Sequence, residues 1–214
     1  MERGSFPHYF RILRQLARMK IDLALTRIYF RYWGVNCGVS PVVGGVPLIR
    51  RTPLSTLTIG SHCTFLSTWN YNLHGLTRPC MLSTVKRDAR LRIGDYSGFS
   101  GTVIVCSTSI NIGERVMCGA NSTIVDTDSH SLDYRHRYPR YYGLDIEGFK
   151  EDVGSSPITI EDDVFIGMNT TILKGVTIGE RSVIAACSVV TNSIPSNCIA
   201  GGVPARVLRS QINN

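Results

Sequence analysis

An aliphatic residue returns at every sixth position from Ile160 through Ile166, Ile172, Ile178 and Ile184 to Val190. An amphipathic helix spaces its apolar residues by three and four, and a strand with one solvated face by two, so neither can be the repeating unit here. Four places after each of the six stand Val164, Thr170, Val176, Ser182, Ser188 and Ile194, all small or branched, while Gly and charged residues fill the gaps. A six-residue unit is too short to bury a face alone and must stack on copies of itself. The pattern therefore predicts an all-β parallel solenoid in which each unit is one short strand plus a corner and three units close a triangular coil. Coils stacked at the strand spacing of about 4.8 Å would place Ile160 beneath Ile178 and Ile166 beneath Ile184. Each buried Ile contributes roughly 1.5–3 kcal/mol, so these columns would hold the fold together.

The same register recurs upstream at Ile93, Phe99 and Val105, again at Ile112, Cys118 and Ile124, and more weakly at Ile59 and Phe65. The step of seven from Val105 to Ile112 implies one corner with an extra residue. Together the rungs predict about five coils over residues 57–195, preceded by a helix and lead-in (1–56) and followed by a tail (196–214). Two segments, near 69–90 and at 131–157, interrupt the register. The second, SLDYRHRYPRYYGLDIEGFKEDVGSSP, keeps no period at all. An insertion of that length in a compact repeat is expected to be a binding loop beside the chemistry.

The net charge of +7 is concentrated at the N-terminus, where Arg3, Arg11, Arg14, Arg18, Lys20, Arg27 and Arg31 outweigh Glu2 and Asp22. Ile12, Leu13, Leu16, Ile21, Leu25 and Ile28 approximate helical spacing, giving a basic amphipathic helix with two readings. It covers the open end of the solenoid, as terminal coils require, or residues 8–33 lie on an anionic bilayer with Phe30, Tyr32 and Trp33 on the apolar side. Nucleic acid is not an expected partner, because bulky apolar residues interrupt the cations and no reader module follows. No apolar core of a secretory signal and no membrane-spanning stretch is found. The seven Cys are scattered without C-x-x-C spacing, which favours free thiols and a cytoplasmic setting, and Cys118 falls on an inward position as a small apolar filler.

Chemistry is expected where polar residues break the aliphatic register. In DTDSH, Asp126, Asp128 and His130 cluster where the long insertion begins. A hydroxyl is a poor nucleophile at neutral pH, and imidazole is the usual base to activate it. A carboxylate on the other ring nitrogen would fix its tautomer, a role open to Asp128 or Asp126. His8, His62 and His74 have no comparable setting, and His136 lies within the insertion.

Three stretches, IGERVMCGANSTIVDTDSHSLDYRHR, PITIEDDVFIGMNTTILKGVTIGERSVIAACSVVTNSIP and GGVPARVLR, give residues 57–209 a resemblance to the hexapeptide-repeat acyltransferases. The likeness is greatest to the maltose and galactoside O-acetyltransferases and their relatives in capsule and lipopolysaccharide synthesis. It implies a left-handed β-helix, a homotrimer with sites between neighbours, and direct transfer from acetyl-CoA to a sugar hydroxyl in surface polysaccharide or glycan biosynthesis. It makes His130 the general base and places Met168, Ala185, Ala186, Thr191 and Asn192 along the acetyl-CoA groove, with Arg206 and Arg209 toward the nucleotide phosphates. No metal is implied, since the closely spaced His ligands of the zinc-dependent relatives have no counterpart.

The chain departs from the pattern at three positions. Ser100, in GFSGT, stands where the galactoside-type enzymes carry an acceptor-binding Asn; Phe165 replaces a Trp; and Met168 replaces a polar residue, leaving only its backbone N–H for an oxyanion. A nucleotide-linked or lipid-linked sugar is the expected acceptor. A small acceptor such as an amino sugar or serine, and a non-catalytic solenoid scaffold, stay open as alternatives; the short segment before the first rung counts against serine.

Overall fold

The computed structural model describes residues 5–134 and 153–210; the middle of the long insertion, with His136, lies outside them. The chain winds into a left-handed parallel β-helix with three faces. The first face stacks Asn36–Cys37, Thr56–Ile59, Arg90–Ile93, Ser109–Ile112, Ile158–Ile160 and Thr177–Ile178. The second stacks Val42–Gly44, Thr64–Leu66, Gly98–Ser100, Met117–Cys118, Phe165–Ile166 and Val183–Ile184. The third stacks Leu48–Arg51, Met81–Thr84, Val103–Cys106, Thr123–Val125, Thr171–Ile172 and Val189–Val190.

The predicted columns form. Ile160 pairs with Ile178 and Ile166 with Ile184, and the inward aliphatics of coils 4 to 6 are fully buried. The second face also carries an aromatic column, with the Phe65 and Phe99 rings stacked at 5.5 Å. Corners tolerate left-handed backbone at residues other than Gly, among them Tyr96 (φ 59), Arg115 (φ 54) and Asn169 (φ 55). At one such column Arg115 binds Asp163 of the next coil with Nε and Nη2 at 2.6 and 3.1 Å.

The register differs from expectation in three places. The solenoid has six full coils rather than about five, because the first begins at Asn36 inside the expected lead-in. Its inward residues Cys37, Val43 and Ile49 do keep the period of six, but Pro41, Gly44, Gly45 and Pro47 around them read as a linker. In coil 3 the inward residue of the third face is Ile104, paired with Ile124, and Val105 turns outward. The preceding corner is one residue shorter than its counterpart in coil 4, turning at Gly101 (φ 56). The first interruption is also narrower than expected, residues 67–80, with Met81–Thr84 already back in register.

Helix α1 (Ser5–Tyr32) lies across the open end of coil 1 and ends at Gly34 (φ 62). Phe30 drops over the aromatic column, edge-on to Phe65 at 6.5 Å, and the buried Asp22 accepts a 2.9 Å bond from the Gly45 amide. Thr26 is also buried here, with Tyr29 and Trp33 packed against the core. The helix therefore caps the solenoid through a mixed face, and the apolar set expected from spacing, including Leu13, Leu16, Ile21, Leu25 and Ile28, points outward. At the other end Cys198–Gly202 extends the second face and Ala205–Ser210 folds back antiparallel to it, giving the expected tail a closing role.

Candidate active site

Asp126, Asp128 and His130 follow Thr123–Val125 at the corner between the third and first faces of coil 4, where the chain leaves for the insertion. The returning strand runs antiparallel beside the outgoing one: Thr127 bridges Ser155, the Asp128 amide donates to Gly154 O at 2.9 Å, and the Ser156 amide to Asp126 O at 2.9 Å. This stalk fixes where the insertion starts.

The two carboxylates have separate duties. Asp126 is fully buried and accepts from the amides of Ser107 (2.5 Å), Thr108 (2.7 Å) and Ser109 (3.0 Å) and from the Thr108 hydroxyl (2.9 Å). These bonds hold the corner between Val103–Cys106 and Ser109–Ile112, and among the described residues Asp126 makes no bond to the imidazole it was expected to orient. Asp128, partly exposed, pairs instead with Lys174 on the same corner of the next coil. Gly154 packs against this pair, and a Cβ there would lie 2.5 Å from Asp128 Oδ2. His130 is exposed and, among the described residues, bonds to neither carboxylate.

A groove of about 560 Å³ runs along the outside of the second face. Its bare strip is the outward column Gly119, Gly167 and Ala185, where a Cβ on Gly119 would come within 2.5 Å of Met168 N and one on Gly167 within 2.4 Å of Ala186 N. The next coil's corner thus presses directly on each glycine. Among the described residues the amides of Met168 and Ala186 donate to no acceptor, which leaves two N–H groups facing the groove region. Met117 and Phe165, both exposed, supply an apolar flank. At the far end Tyr96, Ser100, Asn72 and His74 converge, the last two from the 67–80 insertion, with the His74 amide bonded to Asn72 Oδ1 at 2.8 Å.

Bare backbone, free amides and an apolar wall suit an extended, flexible ligand arm with a few amide or carbonyl groups. Of the expected donor-site residues, Met168, Ala185 and Ala186 line this groove, as does Ser100. Arg206 and Arg209 lie exposed on the last strand, at the end of the same face. Thr191 and Asn192 do not line it; they follow Val189–Val190 at the third-to-first corner, on the His130 side. The His130 corner and the groove thus lie on different edges of the prism, with the third face between them. Sequence reasoning missed Lys174, whose partner is 46 residues away, and also Asn72 and His74, which sit in an insertion without any periodic signal.

The buried thiols offer no nucleophile. Burial pushes Cys63 up to about 11 and Cys106 up to about 12, and raises Cys118 further in the same direction. Cys187 alone is exposed, at a left-handed corner (φ 59).

Residues 157–192 match the family model "Bacterial transferase hexapeptide (six repeats)". Galactoside O-acetyltransferase of Escherichia coli (strain K12) is 40% identical over 119 residues, covering 56% of this chain and 52% of that protein. The Lactococcus lactis galactoside O-acetyltransferase is 39% identical over 118 residues, 54% and 50% of the two chains. The chain therefore spans about half the length of the curated relatives it matches. Among solved structures, the N-acyltransferase AntD of Bacillus cereus superposes with a TM-score of 0.64 at 18% identity, covering 87% of this chain and 88% of that one, which shows the shared fold.

Proposed function

Because the chain is a hexapeptide-repeat protein related to galactoside O-acetyltransferases, we propose that it transfers an acetyl group from acetyl-CoA to a sugar hydroxyl. The observation that carries this reading is the pair of complementary half-sites: an imidazole at one corner, and a groove with free backbone amides along another face. Two different surface patches that must meet make a heterologous contact, which gives a ring where its rotation closes and never a twofold dimer. A trimer in which His130 of each copy faces the groove of the next satisfies both, as the family resemblance implies.

In that assembly the pantetheine arm lies over Gly119, Gly167 and Ala185, with the nucleotide phosphates toward Arg206 and Arg209, whose charge suits them. His130 takes the proton of the acceptor hydroxyl as its oxygen attacks the thioester carbon. The tetrahedral oxyanion is met by a backbone N–H, that of Met168 or Ala186. Collapse breaks the C–S bond, and the CoA thiolate leaves with the proton held by His130, giving an acetyl ester and free thiol. Ser100, Tyr96, Asn72 and His74 form the polar end available to the acceptor. The sugar is a glycan intermediate, carried on a nucleotide or on lipid at the inner face of a membrane.

Thiol release from acetyl-CoA, measured against a panel of sugars, nucleotide sugars, amino sugars and serine, tests the reading. We expect release that depends on a sugar hydroxyl, and a His130→Ala variant slowed by at least about 100-fold in kcat, the scale of a lost general base. Acceptor-dependent release at the normal rate in that variant would remove the mechanism, and release with serine alone would remove the acceptor class.

A further inference from the structure

The outward face of α1 has no role in the reading above. Ile21, Leu25, Ile28 and Tyr32 follow one another by four, three and four and so form one stripe along the helix. They are 55%, 49%, 69% and 81% exposed. The helix cannot bury them against its own solenoid, because the opposite side is already occupied by Asp22, Thr26 and Phe30 on coil 1. Each of Lys20, Arg27 and Arg31 immediately precedes a member of the stripe and flanks it on the exposed side, and Arg11 and Arg14 continue the charge toward the N-terminus, while Arg18 pairs with Asp22 at 3.2 Å. The one acidic residue of the helix, Asp22, is 2% exposed and turned inward, so the outer face carries cations and apolar side chains with no carboxylate.

We propose that this face seats the protein on an anionic lipid bilayer, α1 lying in the interface plane with the stripe among the upper acyl chains and the cations at the headgroups. The charge distribution chooses this occupant. A second copy docked face to face would bring five unpaired cations against five, and a nucleic acid would neutralise the cations while leaving Ile21, Leu25 and Ile28 in water. A bilayer satisfies both kinds of side chain at once. No helix among the described residues is long and apolar enough to cross a membrane, so the association is with one leaflet. The proposal deepens the functional reading, on which it rests for its purpose of presenting the solenoid to a lipid-linked acceptor; the docking itself needs no catalysis.

The test is cosedimentation of the full chain with vesicles of phosphatidylcholine alone or mixed with phosphatidylglycerol, alongside an assay of acetyl transfer to a soluble sugar. We expect binding to the mixed vesicles, at least tenfold weaker binding to the neutral ones, and a similar loss in high salt. A Leu25→Glu/Ile28→Glu variant and an Arg27→Glu/Arg31→Glu variant should each lose at least tenfold in vesicle affinity while keeping the wild-type melting temperature and soluble-acceptor activity. Because the salt series uses the unaltered protein, a variant that fails to fold does not remove the test. Equal binding to neutral vesicles, no binding to either, a vesicle-free change in oligomeric state in the variants, or preferential binding to duplex DNA would each overturn the proposal. Absence of acetyl transfer with vesicle binding intact would instead overturn the functional reading alone.

Discussion

Asp126 and Asp128 stand two residues apart, yet a buried polar network claims one and a partly exposed ion pair the other. Asp126→Ala would leave three backbone amides of residues 107–109 without their acceptor, and an unpaired buried donor costs about 1–3 kcal/mol. We expect a loss of at least about 3 kcal/mol in denaturant unfolding, with any activity loss following from instability. Asp128→Asn breaks only the pair with Lys174, both partners retaining solvent access, and should change stability by about 1 kcal/mol or less. DTDSH shows two equivalent carboxylates, and only donors folded in from residues 107–109 separate them; for the same reason the sequence marked His130 but not Lys174. The thiols allow a pH test at this scale. Because burial raises Cys63 to about 11 and Cys106 to about 12, neither is a thiolate near pH 8.5, and alkylation of the native protein there should modify Cys187, with the buried thiols reacting only on unfolding. Mass mapping of the labelled sites reads this directly.

The coils were legible because a period of six leaves no other way to bury every Ile, and the columns through Ile160, Ile166 and Ile172 form as the spacing requires. What the spacing could not show were shifts made at corners: the shortened turn at Gly101 puts Ile104 rather than Val105 inside, and the first coil hides its period among Gly and Pro. The helix was legible as a helix, but its buried side was not, since Asp22, Thr26 and Phe30 pack on the solenoid, Phe30 having been expected on the bilayer side, while Leu25 and Ile28 face out. These assignments separate by mutation. Ile166→Ala, in a fully buried column, should cost about 2–5 kcal/mol, whereas Leu25→Ala should stay within about 0.5 kcal/mol. Gly167→Ala, whose Cβ would meet the Ala186 backbone at 2.4 Å, should destabilise the solenoid despite the gain in side-chain area, as a lowered melting temperature would show.

For the whole molecule, the fold sets a geometric condition on function. The prism holds the corner that carries His130 and the groove of the second face on different edges, so in the proposed mechanism a neighbouring copy supplies the base. That the corner and the groove lie on different edges was not readable from spacing, because the register lapses after Val125 and resumes only at Ile158, and the folded stalk alone shows where the chain leaves the coil. Mixed assemblies test this most directly. His130→Ala chains lack the base and Ala186→Trp chains block the exposed edge of the groove, so each should be inactive alone. Dissociated together and reassembled in equal amounts, they should recover about a quarter of wild-type acetyl transfer if each site takes its base from one copy and its groove from the next, since one interface in four then pairs intact halves. No recovery on mixing, with reassembly confirmed by mass, would mean that base and groove belong to one chain and would contradict the account.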